Sequence, residues 1–157
     1  MARDPVISDY LNRENRDRNQ IVQDYCHSNN QYEISEISRF ADGISVAFVV
    51  TISKDDGTSA YVYASHFFHN LTGYLPSVVL GKAPSILQCE HTNLIEARRQ
   101  MAQLKSINVM NIKLVNRRKD GSLFGNHIRA CTAPKWHPFP LNAYFGFLSE
   151  CAISDCV

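Results

Sequence analysis

No apolar run in this chain approaches the roughly 20 residues that a membrane-spanning helix needs, and Met1 to Asp9 are polar where a secretory leader would be apolar. A cytoplasmic or nuclear location is the expectation. A surplus of either charge is also missing: 16 Lys and Arg face 15 Asp and Glu, leaving a formal net charge of +1. That is too little to steer nucleic acid or an anionic membrane to the chain. Close cysteine pairs are absent. Cys26, Cys89, Cys131, Cys151 and Cys156 are odd in number and contain no C-x-x-C, which fits reduced, structural thiols better than a disulfide framework or a zinc site. Phosphate loop, hydrolase elbow and paired-carboxylate signatures are lacking, so nothing in the sequence supports an enzyme. His66 and His69 have the spacing of helical metal ligands but no third ligand, and the intervening Phe67 and Phe68 place them at the border of a core. His91 stands beside Glu90 with no nucleophile in sight, as a solvated loop would have it.

What the chain does have is enough apolar material for one core: 157 residues, 45% of them hydrophobic. Residues 1–31 are polar, with sparse apolar positions at Tyr10, Leu11, Ile21, Val22 and Tyr25, and form a flanking segment or cap, helical or extended. The domain proper is expected over 32–157. Ile34, Ile37 and Phe40 put a stripe on a short helix from Tyr32 to Phe40 that stops near Gly43. Ile44 to Thr51 and Ala60 to Ala64 read as strands around the turn residues Asp55, Asp56 and Gly57. Short helical pieces follow at His66 to Leu71 and Pro76 to Leu80, then a longer helix from Asn93 to Lys105 capped by Thr92 or Asn93. Three strands, Val109 to Arg117, Ser122 to Ala133 and Leu141 to Cys151, complete the chain, the first two joined by a tight Asp120-Gly121 turn. This order predicts an α+β fold: a five-stranded antiparallel sheet with short helices on one face. The Pro-rich link Trp136-His137-Pro138-Phe139-Pro140 offers two aromatics for partner contact.

The same order, with its local motifs, resembles a PAS domain of the LOV subgroup, the flavin-binding blue-light sensors. Tyr63-Ala64-Ser65 followed by Leu71-Thr72-Gly73-Tyr74 is similar to the family's entry into its helical layer. Val79-Leu80-Gly81, running on to Leu87-Gln88, looks like the segment that carries the family's reactive cysteine. The stretch from Leu114 to Asn126, with Lys119-Asp120-Gly121 at its centre, and Tyr144-Phe145-Gly146-Phe147 resemble the closing strands, in register and without insertion. The resemblance covers roughly Ile44 to Glu150. It implies a pocket between sheet and helices in which Gln88, Asn116 and Asn126 read the polar edge of FMN, because an amide offers both a donor and an acceptor.

The departures from that pattern are specific. Pro84 stands at the reactive thiol position and has no nucleophile for a sulfur–flavin adduct. Ala83 replaces a flavin-contacting Asn, while Ser85 and Met101 replace the two phosphate-binding Arg residues. Arg98, one helical turn before Met101 and so on a similar face, is a candidate to substitute for them, the alternative being a solvated surface charge. Leu148 replaces the Gln that relays the flavin's state, and Gly125 replaces a bulky Trp, either enlarging a cavity or admitting another group. Cys89 follows Gln88 but at a family glycine position, away from the flavin face. Two functions are therefore expected. The first is a non-photochemical regulatory module for protein–protein interaction or dimerisation, meeting a second copy or an effector through the outer sheet face and the N-terminal segment, with no cofactor. The alternative is a sensor holding a flavin, FMN or riboflavin, or another small planar ligand noncovalently through Gln88, Asn116 and Asn126.

Overall fold

The structure, a computed structural model, describes residues 17–28, 33–134 and 142–157. The aromatic link from Trp136 to Pro140 and most of the 1–31 segment lie outside the described residues. Five strands, β1 (Ala47–Ser53), β2 (Ser59–Ala64), β3 (Val109–Arg117), β4 (Leu123–Thr132) and β5 (Ala143–Cys151), form one antiparallel sheet in the order β2-β1-β5-β4-β3. Alternation sorts their side chains. Ala47, Val49, Gly146, Leu148, Ile128 and Leu114 face one side, and Phe48, Val50, Phe145, Phe147 and Cys131 face the other.

The inner face is covered as expected by α3 (Phe67–Thr72), α4 (Pro76–Val79), a 3₁₀ turn at Pro84–Leu87 and α5 (Leu94–Ile107). Phe68, Leu71, Val79 and Leu87 pack there on Ala47, Val49 and Leu148. Of the two residues able to cap α5, Asn93 does so: its Oδ1 accepts from Glu96 N at 3.0 Å. Thr92 instead accepts from Cys89 N at 3.0 Å and donates to Val115 O, pinning the start of α5 to β3. The helix ends at Asn108, whose φ of 68° is a left-handed stop that Asn tolerates. In the β3–β4 hairpin only Gly121 has positive φ (+92°), and its N bonds Arg118 O at 3.0 Å. The connection is thus a turn closed by one left-handed glycine, not a two-residue turn needing both Asp120 and Gly121 left-handed.

The outer face is covered too. Helices α1 (Arg18–Ser28) and α2 (Ile34–Gly43) lay Ile21, Val22, Cys26, Ile37 and Phe40 onto Phe48, Phe145 and Phe147, and Tyr25 stacks on Phe40 with ring centroids 3.9 Å apart. Asn19, fully buried, spans two strands by donating from Nδ2 to His127 O (2.9 Å) and Phe147 O (3.0 Å). Asp17 lies 3.5 Å from both His127 Nε2 and Arg129 Nη1. The sheet face expected to meet a partner is thus occupied by the chain's own helices. No helix among the described residues is long and apolar enough to cross a membrane.

Candidate functional site

Between the inner sheet face and α5 lies a cavity of about 280 Å³. This is just below the ~300–1,000 Å³ typical of small-molecule sites. Its walls are mostly apolar: Val49, Leu87, Leu104, Ile112 and Leu148 among them. Gln88, Asn116 and Asn126 all line it, so the structure brings the three amides to one chamber.

The placement follows from strand period and register. Ile112, Leu114 and Asn116 share the inward face of β3, as do Phe124, Asn126 and Ile128 on β4. Asn126 pairs with Leu114 and Asn116 with Phe124, making the two asparagines diagonal neighbours on one face, within reach of one another. Asn126 Nδ2 donates to Asn116 Oδ1 at 2.9 Å, and Asn116 Nδ2 donates to Val115 O at 3.0 Å. Asn126 is fully buried and its Oδ1 has no hydrogen-bond partner among the described residues. A buried acceptor left in that state costs about 1–3 kcal/mol. Gln88 caps the 3₁₀ turn in extended backbone, on the exposed rim, and its side chain makes no hydrogen bond among the described residues. The polar end of the chamber therefore holds a buried acceptor beside a free amide, a pattern met by a flat ring presenting an N–H next to a carbonyl.

The remaining positions sort cleanly. Pro84 lines the wall, and no cysteine does among the described residues. Cys89 points instead to Thr92, whose Oγ1 lies 3.7 Å from its sulfur. Met101 and Leu148 line the cavity with apolar surface, while Ser85 is exposed and off the wall. Among the described residues Arg98 is the only charged one on the wall and has no ion pair or hydrogen bond, whereas its neighbour Arg99 is engaged by Glu96. Tyr61, not singled out from the sequence, lines the chamber fully buried, and desolvation pushes its phenol pKa up. Its strand period placed it inward, but nothing in its neighbourhood marked a cavity. Gly125 resolves in favour of the second alternative: a Cβ there would run into Cys151 O and lie 3.0 Å from Ala152 O, so the backbone at the end of β5 fills the space and the cavity gains nothing. Among the described residues no cluster of His, Cys, Asp or Glu suits a metal. Glu90 is exposed, and the hydrogen bond from Arg117 lowers its pKa to about 2, so with His91 3.6 Å away it belongs to a surface ion cluster.

No protein-family model matches the chain. Its fold is nevertheless similar to several solved structures. One is a light-oxygen-voltage domain studied with a flavin analogue, at 27% identity and a TM-score of 0.61, over 74% of this chain and 84% of that one. A second is the light-state LOV domain of the blue-light photoreceptor Aureochrome1, at 28% identity and 0.57, over 68% and 82%. A third, the LOV domain of a blue-light activated histidine kinase from Erythrobacter litoralis, is 22% identical with a TM-score of 0.59, over 68% and 95%. The chain has the PAS fold, its structure is similar to LOV domains, and its general role is that of a signalling sensor domain of this type.

Proposed function

We propose that this chain is a sensor module that binds a flat, imide-edged heteroaromatic ligand of the flavin class noncovalently, and that it performs no thiol photochemistry. The observation that carries this reading is the partnerless, fully buried Oδ1 of Asn126 at the amide end of an apolar 280 Å³ chamber. Of the three buried acceptors without a hydrogen-bond partner among the described residues, Asn19 Oδ1, Gln100 Oε1 and Asn126 Oδ1, only that of Asn126 belongs to a residue lining the chamber. A bound ring satisfies it, with Asn116 and Gln88 completing the edge. A flavin bound here would supply a visible chromophore and a redox-active ring. The chain's own residues orient that ring by its edge and bury its faces against Leu87, Ile112 and Leu148. Pro84 has no sulfur to add to it, and Leu148 has no polar atom through which to relay a hydrogen-bond change.

The test is a titration of riboflavin and FMN against the chain, followed by quenching of flavin fluorescence. Saturable binding is expected, weakened about tenfold or more by Asn126→Leu, since a lost ligand hydrogen bond of about 1.4 kcal/mol is a factor of ten. Saturable binding that Asn126→Leu leaves unchanged, or no binding of either flavin, would remove the proposal.

A second reading, a homodimer or effector contact, is favoured by the way α1 is held. Its polar anchors Asp17 and Asn19 grip the sheet through groups that a partner could replace. On this reading the N-terminal helices present the contact, and the sheet face becomes available only when α1 leaves. Light scattering on the whole chain and on one starting at Glu33 tests it. A larger oligomer for either supports the contact, and monomers in both cases exclude homodimerisation.

A further inference from the structure

After β5 the backbone does not continue away from the sheet. It turns at Cys151-Ala152, passes over Gly125 closely enough that a Cβ there would lie 3.0 Å from Ala152 O, and makes one 3₁₀ turn at Ile153–Asp155. Val157 N then reaches Lys113 O on β3 at 3.1 Å. The crossover thus runs from β5 across β4 to β3, held by this bond and by two within the turn, Asp155 N to Ala152 O and Cys156 N to Ile153 O, both 3.0 Å. Cysteines bracket the turn. Cys156 Sγ lies 3.7 Å from Ala152 O, over the residue that follows Cys151, close enough for Cys156 to act electrostatically on the Cys151 thiol. Both are partly exposed.

The other thiols are placed differently. Cys26 on α1 and Cys131 on β4 also neighbour one another, but both are buried and burial pushes both thiols up, which withholds the thiolate that exchange requires. Cys89 is partly exposed and its polar neighbour is a hydroxyl, that of Thr92.

We propose that Cys151 and Cys156 form a dithiol modification site, oxidised by a low-molecular-weight disulfide to an internal disulfide that clasps the C-terminal crossover onto the edge of the sheet. The chemistry is ordinary exchange. The thiolate of one cysteine attacks the small disulfide, forming one S–S bond and releasing one small thiol. The second cysteine, losing its proton, attacks the mixed disulfide, forming the internal S–S bond and releasing the second small thiol. The protein loses two electrons and two protons, and the small disulfide is reduced by the same amount. Burial, then the neighbouring Cys156, raises the Cys151 pKa to about 11; either partly exposed thiol can make the first attack, and the other then resolves the mixed disulfide.

The experiment uses the whole folded chain, incubated with glutathione disulfide, quenched in acid, alkylated in denaturant and mapped by peptide mass. Of five alkylatable thiols, two are expected to be lost, with the peptide holding Cys151 and Cys156 lighter by two hydrogens and carrying no alkyl group. In Cys151→Ser, glutathione should instead accumulate on Cys156, and in the oxidised parent the Val157 amide should exchange with deuterium more slowly. Independent glutathione adducts on Cys151 and Cys156 in the parent, both thiols remaining alkylatable while Cys89 reacts, or no more adduct on Cys156 in Cys151→Ser than in the parent would each overturn the site.

Discussion

Replacing Asn116 and Asn126 separately and together tests whether the amide end of the chamber is maintained for a ligand at the expense of stability. In Asn116→Leu, Asn126 Nδ2 loses its acceptor at 2.9 Å, and its Oδ1, already without a partner, remains so. A wholly unpaired buried amide is the result. The freed donor should cost about 1–3 kcal/mol. Val115 O is not orphaned, because Thr92 Oγ1 still donates to it. Adding Asn126→Leu removes the stranded amide, and the neighbouring cavity of about 280 Å³ leaves room for both larger side chains. Replacing both partners of a buried pair by apolar groups is close to neutral or stabilising. The double variant should therefore be at least as stable as the parent without ligand, and about 1–3 kcal/mol more stable than Asn116→Leu, a coupling within the range for touching residues. Urea unfolding followed by far-UV circular dichroism gives each value, and flavin titration of the same proteins should show binding lost in the double variant. Additive effects, with the double variant the least stable of the set, would refute the reasoning about the orphaned acceptor.

Other consequences follow from the packing. Gly125→Ala sets a Cβ against the backbone of Cys151 and Ala152 and should destabilise by about 1–3 kcal/mol, with a thermal midpoint lower by roughly 2–4 °C per kcal/mol; an unchanged midpoint would contradict the crossover's path. Asn19→Ala strips donors from His127 O and Phe147 O, and faster amide exchange across 18–28 than across β1 is expected. The His127 pKa lies below its ordinary value because burial disfavours the charged ring, aided by Lys113 and Arg129 and opposed by Asp17. The unfolded chain then binds the extra proton first, so this contribution to stability is complete above about pH 6.5 and fades as pH falls through the lowered value. Unfolding midpoints compared at pH 7 and below pH 6 should differ less in His127→Gln than in the parent.

Much of the sheet was legible because alternation and turn chemistry act locally. The Val109–Arg117 strand agrees at both ends, and the neighbouring strands agree within two or three residues. The three amides were legible only through the family resemblance, since one Asn on an inward strand position looks like any other until the register makes it a diagonal neighbour of a second. The docking of α1 was not legible. Its apolar positions Ile21, Val22 and Cys26 are sparse, and what seats them is a long-range contact of Asn19 with two strand carbonyls more than 100 residues away. The path over Gly125 was hidden for the same reason: composition shows a missing side chain, and only the fold shows what fills its place.

The most direct measurement of the central claim is the absorbance spectrum of the purified chain after incubation with riboflavin and removal of the excess. A retained, structured band in the blue is predicted, one that illumination does not bleach into an adduct because, among the described residues, no cysteine lines the chamber and Pro84 on its wall carries no sulfur. A protein fraction with no flavin band, or a band that bleaches reversibly on illumination, would contradict the account.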